Sequence, residues 1–86
     1  MNQKIEKIKL FDIINKYTEE GGVTEIEDNT DLVLDRGFSS LEFVSLIMEI
    51  ESEFGIEFDV SDMDFEHIKI FKNLYEIVIK KVEKLN

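Results

Sequence analysis

The sequence predicts an all-α fold: a small four-helix bundle with three long helices, one short helix and a long loop between the first and second. Three observations carry that prediction. Apolar residues recur at helical spacing in three separate stretches, glycines fall where two of those stretches stop, and proline is absent from the 86 residues. In the first stretch Leu10, Ile13, Ile14 and Tyr17 lie at i, i+3, i+4, i+7. A helix over roughly residues 3–19 follows, ended by Gly21-Gly22. Residues 23–37 hold no sustained period and several acids, which predicts a loop with one short turn around Asp31 to Leu34. Loops of this length in compact domains tend to be functional or well packed.

The second long helix is the clearest. It opens at Ser39-Ser40, repeats Phe43, Leu46, Ile47, Ile50 and Phe54 on one face, and closes at Gly55. Val60 to His67 allows only a short helix, for which Ser61 is the expected N-cap, with Asp64 three residues on. Phe71, Leu74, Tyr75, Val78 and Val82 repeat the helical spacing in a C-terminal helix. The second helix also carries Leu41, Val44 and Met48 as another apolar line on an adjacent face. Acids flank it at Glu42, Glu49 and Glu53. Extra core and a recognition surface are the two readings of that line, and the neighbouring acids favour recognition.

Composition removes several classes of function. At 10.1 kDa the chain is expected to form one domain over residues 1–86. With no Cys and only His67, neither a disulfide framework nor a thiolate zinc site can form. A net charge of −10 repels nucleic acid and anionic lipid. The longest nearly apolar stretch, Phe43 to Met48, is far too short to span a bilayer, and no charged-then-apolar signal segment opens the chain. A soluble, cytoplasmic, monomeric domain without membrane insertion is expected.

The charge is segregated along the chain. Residues 1–17 are net +2 and residues 69–86 net +3, whereas 18–68 hold sixteen acids against one base, Arg36. No Lys or Arg occurs from Gly37 through Ile68. A solvated face is the default reading of such a run; its concentration in the centre points further, to a docking face for cationic partners.

Catalytic and metal motifs fail on inspection. Gly37-Phe38-Ser39-Ser40-Leu41 begins like a nucleophile elbow, but Leu41 stands where the closing Gly belongs. Asp59, Asp62, Asp64 and Glu66 suggest alternating calcium ligands. His67, however, occupies the turn position that needs Gly, and Asn73 the twelfth position that needs Glu. Neither a catalytic residue nor a metal site is expected, and the chain reads as a non-enzyme.

At Gly37-Phe38-Ser39-Ser40-Leu41 the sequence resembles the acyl carrier proteins and their peptidyl and D-alanyl relatives. Their signature is a Gly, one residue, then Asp-Ser-Leu at the start of the second helix. The resemblance runs in continuous register from Thr30-Asp31-Leu32 through Ile56-Glu57-Phe58, including Leu41 to Phe54, and helix order extends it over nearly the whole chain. It implies 4′-phosphopantetheine attached to Ser40 from coenzyme A by a phosphopantetheinyl transferase. It further implies a free-standing carrier that shuttles acyl thioesters between acyl-loading and acyl-processing enzymes of fatty-acid or specialised (polyketide, peptide or aminoacyl) biosynthesis. Leu41, Glu42, Val44, Met48, Glu49 and Glu53 would then meet the partners. Two departures stand out: Ser39 replaces the usual Asp, and Arg36 the apolar residue usual before the Gly, where a solvent-turned side chain is expected. Together with Ser45, where acids are frequent, Ser39 tilts the reading to a dedicated carrier. The alternative from another class is an acidic helical adaptor that binds a basic protein without any prosthetic group.

Overall fold

A computed structural model describes residues 3–18 and 25–85. Four α-helices follow in order: α1 (Gln3–Asn15), α2 (Ser40–Phe54), α3 (Phe65–Ile68) and α4 (Phe71–Leu85), with a 3-10 turn over Val60–Asp62. The described residues form no strand, only an isolated antiparallel bridge between Asp31 and Ile70. The predicted class and helix order hold.

Each long helix buries the face its spacing marks. Leu10, Ile13 and Ile14 of α1 meet Phe43, Leu46, Ile47 and Ile50 of α2 and Phe71, Leu74 and Val78 of α4 in one core. Tyr17, Phe54, Tyr75 and Val82 pack at its edge. Helices α1 and α2 run antiparallel: Lys9 lies 4.9 Å over the Phe54 ring near the end of α2, and Lys16, just past the end of α1, bonds the earlier Glu49. Phe11 joins α1 to α4 by stacking on Phe71 at 5.6 Å between ring centroids.

Helix α1 ends four residues before the expected boundary. Past Asn15 the backbone tightens to i→i−3 bonds, Tyr17 N donating to Ile14 O and Thr18 N to Asn15 O, both at 3.1 Å. Gly21-Gly22, the expected stop, lie outside the described residues. Gly55 closes α2 as anticipated, at φ 68° in the left-handed region, with its N–H and that of Ile56 both donating to Glu51 O.

The short-helix segment differs in detail from expectation. It splits in two, and Ser61 caps neither piece. The 3-10 turn starts after Asp59, whose N–H donates to Asp62 Oδ2 at 2.7 Å, and α3 starts after Asp64, whose carbonyl accepts from His67 N and Ile68 N. A cap has to precede the first helical residue, and Ser61 lies inside the turn.

The loop before α2 is pinned rather than loose. Phe71 N and Lys72 N, unpaired donors of the first turn of α4, bond Thr30 O and Asp28 O, while Leu32 N bonds Lys69 O at 2.8 Å. Ile26 and Leu32 sink into the core. Asp31 organises the expected turn: its Oδ1 accepts from Val33 N and Leu34 N at 2.9 Å each, and Lys69 lies 3.5 Å from Oδ2. The Leu34 amide, with that of Val33 and the Lys69 charge, holds the Asp31 carboxyl below the usual carboxylate range. A lowered folded-state pKa contributes stability that is present above the unfolded value of about 3.9 and lost as pH falls through the folded one. Asp31→Ala is therefore expected to lower the melting temperature at neutral pH, with the gap to wild type narrowing below about pH 4. Parallel melts at the two pH values check this; a gap independent of pH would contradict the assigned bonds.

Candidate functional site

The approach to α2 is built by four consecutive residues with distinct tasks. Gly37 turns the chain at φ 76°, a region L side chains rarely adopt. Phe38 dives into the core against Tyr17, 5.3 Å away, and edge-on to Phe43 at 6.5 Å. Ser39 is extended, at φ −78° and ψ 167°, and caps the helix. Its Oγ accepts from Glu42 N at 3.1 Å while Glu42 Oε1 accepts from Ser39 N at 3.0 Å, a reciprocal capping box. Ser40 is then the first helical residue and is exposed. Its primary hydroxyl stands at the positive end of the α2 dipole, among backbone N–H groups that favour a phosphate. Because Ser39 makes the cap, nothing in the helix start depends on the Ser40 hydroxyl.

The two apolar lines of α2 separate in space. Phe43, Leu46, Ile47 and Ile50 are buried, while Leu41 is 77% exposed, Val44 50% and Met48 62%. Sequence reading did not single out three further exposed apolar residues, Val60, Met63 and Phe65, of which Phe65 meets the buried Phe43 edge-on at 5.3 Å. Their spacing within a broken helical segment follows no single period, so only their apolar character in an acidic stretch marks them.

The three acids flanking the line play unequal parts. Glu42 is engaged in the capping box. Glu49 bridges to α1, accepting from Lys16 Nζ at 2.9 Å and from Tyr17 Oη at 3.1 Å. That bond raises the Lys16 pKa, and burial, then Glu49, raises that of the Tyr17 phenol. Glu53 alone of the three has an exposed side chain for which no internal bond is recorded, its backbone carbonyl accepting from Lys9 Nζ at 3.4 Å.

The charge segregation folds back on itself. Lysines of the basic ends pair with acids of the middle: Lys7 with Asp28, Lys16 with Glu49, Lys69 with Asp31 and Glu66, Lys81 with Asp59 and Asp62. Two carboxylates of the calcium-like string are thus held by Lys81, whose bond keeps the Asp62 pKa low. Arg36 departs from expectation. It is half-buried and turned inward, its Nη1 donating to Asn15 Oδ1 at 2.8 Å, because the core side of α1 offers a buried acceptor there. His67 is exposed on α3.

Residues 9–70 match the family model described as phosphopantetheine attachment site. The chain belongs to the acyl carrier protein family. Curated relatives agree: the acyl carrier protein of Chloroherpeton thalassium is 36% identical over 76 residues, covering 87% of this chain and 90% of that one. That of Thermotoga maritima is 36% identical over 59 residues, 69% of this chain and 70% of its own length. The acyl carrier protein of Coprothermobacter proteolyticus is 32% identical over 77 residues, 86% of this chain and 92% of its own. No solved structure matches the chain significantly. As a member of the family the protein bears covalently attached 4′-phosphopantetheine. The start of α2 fits that group: an exposed hydroxyl, free of the cap, on a helix end that attracts phosphate. No helix among the described residues is long and apolar enough to cross a membrane.

Proposed function

We propose that this chain is a non-catalytic carrier that holds its prosthetic group on Ser40 and presents cargo to partner enzymes of fatty-acid or specialised biosynthesis. The observation that carries this is the exposed Ser40 hydroxyl at the first residue of α2, with the capping duty taken by Ser39. With coenzyme A as donor, the Ser40 Oγ–P bond forms as the pyrophosphate bond of coenzyme A breaks. Adenosine 3′,5′-bisphosphate leaves and the seryl proton passes to the transferase. When bound, the group supplies a thiol on a flexible arm that holds acyl cargo as a thioester. The protein's own residues do the rest: backbone N–H groups at the α2 start favour the phosphate, and Leu41, Val44 and Met48 offer an apolar contact. A single carrier domain over residues 1–86 accords with relatives matched over up to 87% of the chain.

Incubation with coenzyme A and a broad-specificity transferase tests the reading by intact mass. One phosphopantetheine added per chain is expected; a mass unchanged with every transferase would favour the adaptor. The steering part has its own probe. Reversing Glu49 would sever the α1–α2 bridge and reversing Glu42 would break the cap, so Glu53→Lys is the cleaner substitution. It is expected to slow transfer at low salt, with the deficit shrinking as the screening length falls to about 8 Å at physiological ionic strength. Equal rates for both proteins at every salt concentration would rule steering out.

A further inference from the structure

Asn15 is fully buried, alone among the described polar residues, at the point where α1 stops. Its backbone carbonyl accepts from both Thr18 N and Thr18 Oγ1, and its side-chain oxygen accepts from Arg36 Nη1 at 2.8 Å. Arg36 sits four residues before Ser40, across the left-handed Gly37. The first turn of α2 has little else beneath it: Leu41, Glu42, Val44 and Ser45 are exposed, and Phe43 alone faces the core. Behind that turn two side-chain contacts tie the chain to the end of α1 and the turn that follows it, beside the backbone bonds from Gly37 N to Val33 O and from Phe38 N to Leu32 O. Phe38 rests on Tyr17, and Arg36 bonds Asn15. The backbone bonds hold the loop to itself, and the two side-chain contacts orient it, with the helix it leads into, against the end of α1.

We propose that the Arg36–Asn15 bond is a positioning device for the first turn of α2, holding Ser40 in the direction the transferase requires. Arg36 is a positioning residue, not a catalytic one, and the inference rests on Ser40 being the attachment site. Phosphoryl transfer needs Ser40 Oγ in line with the breaking P–O bond, so loosening the turn lowers the rate of the bound complex more than the affinity for the enzyme.

The test is the steady-state kinetics of phosphopantetheine transfer to wild type, Arg36→Met, Arg36→Lys, Asn15→Ala and the Arg36→Met/Asn15→Ala double variant, each assayed below its own melting transition. Arg36→Met keeps the stem and removes the donor; it is expected to lower kcat about tenfold, with KM for the carrier changed less than about twofold. Arg36→Lys, which retains a donor, should recover most of the loss. The double variant should be no slower than the slower single, since both substitutions break one bond. An unchanged kcat in Arg36→Met, a loss confined to KM, failure of Lys to rescue, or losses that multiply in the double variant would each overturn the proposal. Because Arg36→Met leaves the buried positions unaltered, it keeps the test open even if Asn15→Ala does not fold. Absence of labelling in wild type would instead overturn the Ser40 reading, and this one with it.

Discussion

Ser40→Ala retains the helical circular-dichroism spectrum of the wild type and accepts no phosphopantetheine. Both halves of this expected result follow from the start of α2. The capping box runs between Ser39 and Glu42, so the substitution removes no bond that holds the helix, and alanine is the best helix former at an exposed helical position. The loss is all or none because no other atom of Ser40 can form the phosphate ester. Ser39→Ala is the matched control with the opposite signature. It deletes the cap, at a cost of about 1 kcal/mol, and yet leaves the Ser40 hydroxyl in place, so modification continues at a reduced rate. Peptide mapping of the labelled wild type locates the added mass directly. Attachment at Ser39, or undiminished labelling of Ser40→Ala, would falsify the site.

How far the sequence disclosed this arrangement depended on the range of the interactions involved. The helices were legible because burial against a core imposes a 3.6-residue period on local sequence, as in Phe43, Leu46, Ile47 and Ile50. The start of α2 was legible too, since a cap is a contact between residues three apart. What escaped depends on partners distant in sequence. The carbonyls of Asp28 and Thr30 serve as acceptors for the first amides of α4, and nothing in the loop marks them for it. Glu49 reads as a free surface acid until α1 brings Lys16 and Tyr17 to it, more than thirty residues away. Arg36 reads as a solvent-turned loop residue until the buried Asn15 oxygen appears, twenty-one residues upstream. Asp59 and Asp64, not Ser61, precede the two short turns because the segment breaks at Met63, a division that no periodicity over so few residues can announce.

The second large effect separates the two apolar lines of α2. Ile50 is 0% exposed, in the middle of the helix and in the shared core. Ile50→Ala removes buried methyl groups and leaves a cavity, at a cost of about 2–5 kcal/mol. Set against the roughly 5–15 kcal/mol that holds a typical domain together, that is a large share. At about 4–8 °C per kcal/mol for a chain of this size the melting transition should fall by tens of degrees at the upper end of that range. Met48 sits two positions away and is 62% exposed, so Met48→Ala gives up little that folding had buried and should cost no more than about 0.5 kcal/mol. Val44→Ala, at 50% exposure, belongs with Met48. The functional readout should run the other way: if the exposed line is the proposed docking surface, Val44→Ala and Met48→Ala slow turnover by a partner enzyme at a temperature where all variants are folded. Thermal melts and transfer assays on the same three proteins decide between the two roles. Melting losses at Met48 as large as those at Ile50 would place the second line in the core, and the acids around it would then be surface charge with no apolar contact to surround.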